Sequence, residues 1–159
     1  MKTISEIDFE TFVMNIRKGN YKKIGNGSGR LVFDLEDGYV VKVAKNQKGI
    51  AQNIAECQIA NIDQSDLFAK IIAASEKFDM IIMEKAILYS NFREIRDFFQ
   101  VNNNRELFRR KDIQHIMREY KLVPQDLYRI DSWGMVQERP VIIDYGFTWN
   151  VKRKYYFPF

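Results

Sequence analysis

Lys42 stands inside the apolar run Val40-Val41-Lys42-Val43-Ala44. An ammonium there costs free energy unless an acid pairs with it or it faces a cleft. The next helix-like stretch offers Glu56 as that acid. Just upstream, Gly25-Asn26-Gly27-Ser28-Gly29 lies between two β-prone runs. Glycines between strands are ordinarily turn-formers. Set ahead of a lysine strand, they can instead form a flap whose backbone N–H groups cover phosphates, with one lysine beneath it.

The elements that must position these groups follow from periodicity. Ile4, Ile7, Phe9, Phe12, Val13 and Ile16 recur at near-helical spacing behind a Thr3 or Ser5 cap, and Gly19-Asn20 stops the run. Residues 21–24, 30–35 and 39–44 read as short strands, the last two joined by a Glu36-Asp37-Gly38 hairpin turn. From 48 to 62, Ala51, Ile54, Ala55, Ile59 and Ile62 fit one helical face with Glu56 on its flank. Strands are expected at 68–74 and 78–83, helices at 91–101 and 104–120, and strands at 133–136 and 141–143 around the turn 137–140. The basic, aromatic tail VKRKYYFPF reads as a closing strand.

Composition bounds the possibilities. The 159 residues are 46% hydrophobic, 29% charged and 14% aromatic, enough for one folded domain and no second of ordinary size. Cys57 and His115 are each the sole residue of their type, which excludes an internal disulfide and a Cys- or His-built zinc site and leaves oxygen ligands for any metal. A net charge of +4 is too even a balance for a nucleic-acid arm. Glu6, Asp8 and Glu10 interrupt what a signal peptide would need, and no apolar run is long enough to span a membrane. A soluble, cytoplasmic domain is expected.

In this order the residues resemble the protein-kinase family. Its glycine-rich loop resembles IGNGSGRLVF, its lysine strand resembles VVKV at Lys42, and its ion-pairing glutamate corresponds to Glu56. MIIMEKA, residues 80–86, resembles the strand and hinge that reach adenine, the backbone after Met83, at Glu84, bonding the base. The catalytic loop resembles PQDLYRIDSW and the D-F-G motif resembles Asp144-Tyr145-Gly146. Asp131 falls five residues after Asp126 and Asp144 thirteen beyond it, the family's interval.

That resemblance implies an α+β kinase-like fold. Residues 1–20 would form an N-terminal helix, 21–86 a lobe with an antiparallel sheet and one key helix, and 87–159 a reduced helical lobe and tail, all in one domain. It implies ATP and Mg²⁺ as cofactors. Gly25, Gly27, Ser28, Gly29, Lys42 and Glu84 would bind the nucleotide, Glu56 would orient Lys42, Asp131 and Asp144 would hold metal, and Asp126 would act on the acceptor hydroxyl. Pro124 and Gln125 stand where the family has His-Arg, so control through a phosphorylated activation loop is not expected. Asp131 stands where the family has a metal-binding asparagine. Thirteen residues follow Gly146, and the nearest resemblance is to minimal kinase-like proteins of bacteria and phages. The expected function is transfer of the ATP γ-phosphoryl group to a hydroxyl of a protein or small molecule. The alternative is a pseudokinase-like module that docks on a partner protein. The aromatic tail, Phe147, Trp149, Val151, Tyr155, Tyr156, Phe157 and Phe159, would pack on its own lobe or join a second copy or a partner.

Overall fold

A computed structural model describes residues 8–156. Its order is α1 (Phe9–Arg17), β1 (Lys22–Asn26), β2 (Arg30–Asp34), β3 (Tyr39–Ala44), α2 (Gln47–Ile62), β4 (Ile71–Ala74) and β5 (Met80–Glu84). There follow β6 (Ile87–Leu88), α3 (Arg93–Phe99), α4 (Asn104–Phe108), α5 (Lys111–Glu119), α6 (Pro124–Leu127), β7 (Trp133–Val136), β8 (Arg139–Ile142) and α7 (Trp149–Tyr155). The expected α+β class is the observed one. Five antiparallel strands in the order β1-β2-β3-β5-β4 form the first sheet, and β6-β7-β8 form a second. Among the described residues no helix is long and apolar enough to cross a membrane.

Strand alternation sorts the first sheet into two faces. Phe33, Leu35, Val41 and Ile82 form one core cluster, against which Phe9, Phe12, Val13 and Ile16 of α1 pack. Val40 and Met83 belong to the other, shared with Ile59 of α2 and with Leu127, Trp133 and Ile142 from the second half of the chain. Lys42 has the parity of Val40 and therefore points at α2 and the second lobe. Its register partner in β2 is Val32, and Arg30 pairs with Ala44, so Arg30 shares that inner face.

Several expectations need correction. The first helix is capped by Asp8, whose carboxylate accepts from Glu10 and Thr11; Thr3 and Ser5 lie outside the described residues. The inward face of α2 is only in part the expected apolar one: Ala55 and Ile59 are buried, but so are Gly49, Asn53 and Glu56, whereas Ile62 is 61% exposed. The helix expected over 104–120 is two, because Leu107 and Ile113 are both buried and would diverge by about 120° on a continuous helix. Arg110 breaks the run, pairing with Asp112 at 3.0 Å and lying over Phe99. Gln137 and Glu138, both in the left-handed region, turn the last hairpin in two residues. Pro140 therefore sits inside the edge strand β8, opposite Met135.

The tail forms a helix, not a closing strand. Thr148 caps it by accepting from the Val151 N–H at 3.2 Å, and Lys152, Arg153 and Lys154 fill its last turn, where cations suit the helix dipole. Trp149 N–H donates to the Lys121 carbonyl at 2.9 Å, and α7 then packs along α2. Phe157 and Phe159 lie outside the described residues.

Candidate functional site

Where β2, β3, α2 and the end of β8 meet, four charged side chains form one network. Lys42 Nζ donates to both Glu56 oxygens, at 2.9 and 3.1 Å, and to the Ile143 carbonyl at 2.6 Å. Arg30 grips the same carboxylate, Nη1 to Oε1 at 2.5 Å and Nη2 to Oε2 at 3.1 Å. It also reaches Asn53 Oδ1 and Asp144 Oδ1, each at 3.1 Å. Glu56 is fully buried, and Lys42 and Arg30 are nearly so. The expected Lys42–Glu56 ion pair is thus formed, with a second cation that was not anticipated.

The electrostatics follow from that packing. Burial by itself would push the Glu56 carboxyl up, but Arg30 and Lys42 outweigh it and hold it at about 2. Lys42 is shifted below its ordinary value, first by burial and then by Arg30 beside it, against the pull of Glu56. Burial also works against the Arg30 cation, yet Glu56 and Asp144 raise its pKa above the ordinary value. A carboxylate between two forks of donors satisfies the polar atoms as well as the charge.

The same glutamate holds the aspartate segment in place. Tyr145 N–H donates to Glu56 Oε2 at 2.8 Å, and the Tyr145 hydroxyl donates to the Ala69 carbonyl at 2.6 Å. The ring is buried against Phe68, with centroids 4.6 Å apart. Gly146 must be glycine, since a Cβ there would lie 2.5 Å from the Gln52 carbonyl oxygen of α2.

The glycine flap is tied down on one side. Lys45 N–H donates to the Gly29 carbonyl, Lys45 Nζ to that of Gly27 and Asn46 Nδ2 to that of Ser28, at 2.8, 2.7 and 3.1 Å. A Cβ at Gly49 would collide with the Gly29 carbonyl oxygen, so α2 can approach the flap this closely only with glycine there. The Gly27 N–H is spent on the Arg30 carbonyl. Those of Ser28 and Gly29 have no acceptor among the described residues, which leaves them for an anion. Gly25 belongs to β1, opposite Val32. The Tyr156 and Ser28 hydroxyls are 2.8 Å apart, and Gln52 Nε2 donates to Tyr156 at 3.2 Å.

Asp126 lies on α6, whose loop is braced by Ser132 Oγ donating to the Asp126 carbonyl and by Trp133 Nε1 donating to that of Leu127. Burial, then the nearby charge of Asp144, pushes its carboxyl from an ordinary 3.8 up to about 7, with Arg129 pulling the other way from 3.9 Å. Such a group is partly ionised at neutral pH and suits proton transfer. Asp131 points elsewhere: its side chain is 77% exposed and pairs with Arg129 at 3.4 Å. At the hinge, Glu84 N–H donates to the Lys70 carbonyl at 2.9 Å and its carboxylate accepts from Lys70 N–H. A base read through that N–H would have to break the strand pairing.

Mg²⁺ would have only part of a site here: Asp144 and the nearby Asp126 could offer it oxygen together with phosphates, but Asp131 is turned to Arg129, and one Asp144 oxygen is taken by Arg30. Arg30 itself escaped the sequence reading. The usable signal was parity: in Arg30-Leu31-Val32 it shares a face with Val32 and, through the hairpin register, with Lys42.

No family model matches the sequence, and no curated protein matches it. Among solved structures, APH(2″)-IIa in a ternary complex with streptomycin and ATP is 11% identical. The alignment covers 89% of this chain and 72% of that one, with a TM-score of 0.48. A likeness at that level carries no argument about what this chain binds.

Proposed function

We propose that the chain is a kinase-like protein that binds ATP between the glycine flap and the second lobe and transfers its γ-phosphoryl group to a hydroxyl. The observation that supports this best is the buried Lys42–Glu56 pair joined to Asp144 beneath a flap with two unspent N–H groups. The Ser28 and Gly29 N–H groups would take the phosphates, Lys42 would add its positive charge while its three donors stay on Glu56 and the Ile143 carbonyl, and Asp126 would receive the acceptor's proton. As the acceptor oxygen bonds the γ-phosphorus, the bond from that phosphorus to the β–γ bridging oxygen breaks. The electron pair departs with ADP, and the proton goes to the Asp126 carboxylate.

A nucleotide-binding module without turnover is favoured by one feature, the Arg30 guanidinium already seated on Asp144. One experiment separates the two. ATP should raise the melting temperature, since a ligand of the folded state stabilises it by about 2.7 kcal/mol at a hundredfold excess over Kd, and Lys42→Ala should remove most of the shift. ADP release in the presence of hydroxyl acceptors marks the enzyme, and binding without release marks the module. No shift with wild type rejects both.

A further inference from the structure

Arg30, Lys42, Glu56 and Asp144 are two cations and two carboxylates joined in series, Lys42 to Glu56, Glu56 to Arg30 and Arg30 to Asp144. With Arg30 present the four side chains are neutral as a set. Without it they carry one excess negative charge, which would repel a polyphosphate unless a metal ion were added. Arg30 is 6% exposed, and its two Nη atoms are occupied by Glu56, Asn53 and Asp144. Asp144 is the outermost member, with 46% of its side chain exposed, and Arg30 holds it from the buried side. Of the other acids expected at the site, Asp126 is near enough for the charge of Asp144 to raise its carboxyl, but Asp131, expected at a metal centre, is turned to Arg129.

We propose that Arg30 supplies to Asp144 the positive charge that a metal ion would otherwise bring, so that this site accepts a nucleotide polyphosphate with little dependence on Mg²⁺. Arg30 is thus a positioning residue: it holds and neutralises Asp144, and it acts on the phosphates through the charge of the set. This rests on the nucleotide-site reading above. It also goes beyond it, because a Lys–Glu pair with a free aspartate would call for the metal.

The test is the apparent Kd of ATP, titrated calorimetrically with millimolar Mg²⁺ and again with chelator, for wild type, Arg30→Met and Arg30→Lys. The ratio of the two Kd values should be at least about fivefold larger in Arg30→Met than in wild type, and Arg30→Lys, which keeps the charge, should stay near wild type. A purely structural arginine would lower stability without changing that ratio, so a smaller difference between Arg30→Met and wild type overturns the proposal. If Arg30→Met does not fold, Asp144→Asn decides. Leaving the set with one excess positive charge, it should bind ATP in chelator at least as tightly as wild type, and weaker binding overturns the proposal. Absence of ATP binding by wild type in both conditions rejects the nucleotide site itself, an outcome distinct from an unchanged ratio.

Discussion

The backbone N–H of Tyr145 donates to Oε2 of Glu56 at 2.8 Å, so the glutamate that receives both buried cations also fixes the segment carrying Asp144. One fully buried carboxylate thereby joins α2, β2, β3 and the end of the second sheet. Loss of its charge would be felt by every one of them.

Glu56→Gln should therefore be among the most destabilising single changes in the chain. It leaves Lys42 and Arg30 buried beside a neutral amide, a loss of about 3–5 kcal/mol for breaking a buried pair. Denaturant unfolding should show a lower midpoint with an unchanged slope. An exposed acid such as Glu76 changed to Gln should stay within about 0.5 kcal/mol of wild type.

Asp126→Asn should separate chemistry from stability. Its carboxyl holds a proton more tightly in the folded state, up to about 7 against an ordinary 3.8. Wild-type stability from this group is fully present below its unfolded pKa and declines as pH rises towards about 7. The asparagine variant lacks that decline, so it should melt higher than wild type at pH 8 and close to it at pH 4. If the chain transfers phosphoryl groups, wild-type turnover should rise through pH 7 and Asp126→Asn should abolish it with nucleotide binding nearly intact.

Gly146→Ala tests the close approach of α2 to the aspartate segment. The added carbon has the Gln52 carbonyl oxygen 2.5 Å away, and backbone must move to admit it. A loss of about 1–3 kcal/mol is expected, with Asp144 displaced and nucleotide binding weakened together. Normal stability and binding would mean that this packing yields easily.

Tyr156→Phe removes the hydroxyl that meets Ser28 and Gln52. The ring keeps its contact with Phe147, at 4.9 Å between centroids, so stability should fall only by about 0.5–1.5 kcal/mol. Hydrogen exchange at the Gly27 and Lys45 amides, which donate to the Arg30 and Gly29 carbonyls, should quicken relative to the strand amides of β3. Equal protection in both proteins would show that the flap is held by Lys45 and Asn46 alone.

Ending the chain at Thr148 should lower the melting temperature of a protein that sediments as a monomer, because α7 covers α2 and buries Val151 within the same chain. A dimer that dissociates on truncation would instead make the tail an interface between copies.

Much of this site was legible in the sequence because it is local. Lys42 within an apolar run, the glycines before it and Glu56 on the next helix are placed by strand alternation and helical period, which act over a few residues. The hairpin turned at Glu36–Gly38 and the antiparallel sheet follow from the same short-range rules. The apolar period of α2 misled in part, because beside Ala55 and Ile59 its buried face carries Asn53 and Glu56, and such a face is stable only with Arg30 and Lys42 opposite. The tail misled as well: Thr148 and the basic last turn suit a helix, and alternating aromatics alone do not distinguish it from a strand. What tertiary structure alone decided is the pairing of charges far apart in the chain. Arg30 finds Asp144 across 114 positions, while Asp131, spaced as a partner for Asp144, turns to Arg129 two residues away. Spacing sets which residues can come near one another; which ion pairs form is settled by the cost of burying each charge, known only once the chain has closed around it.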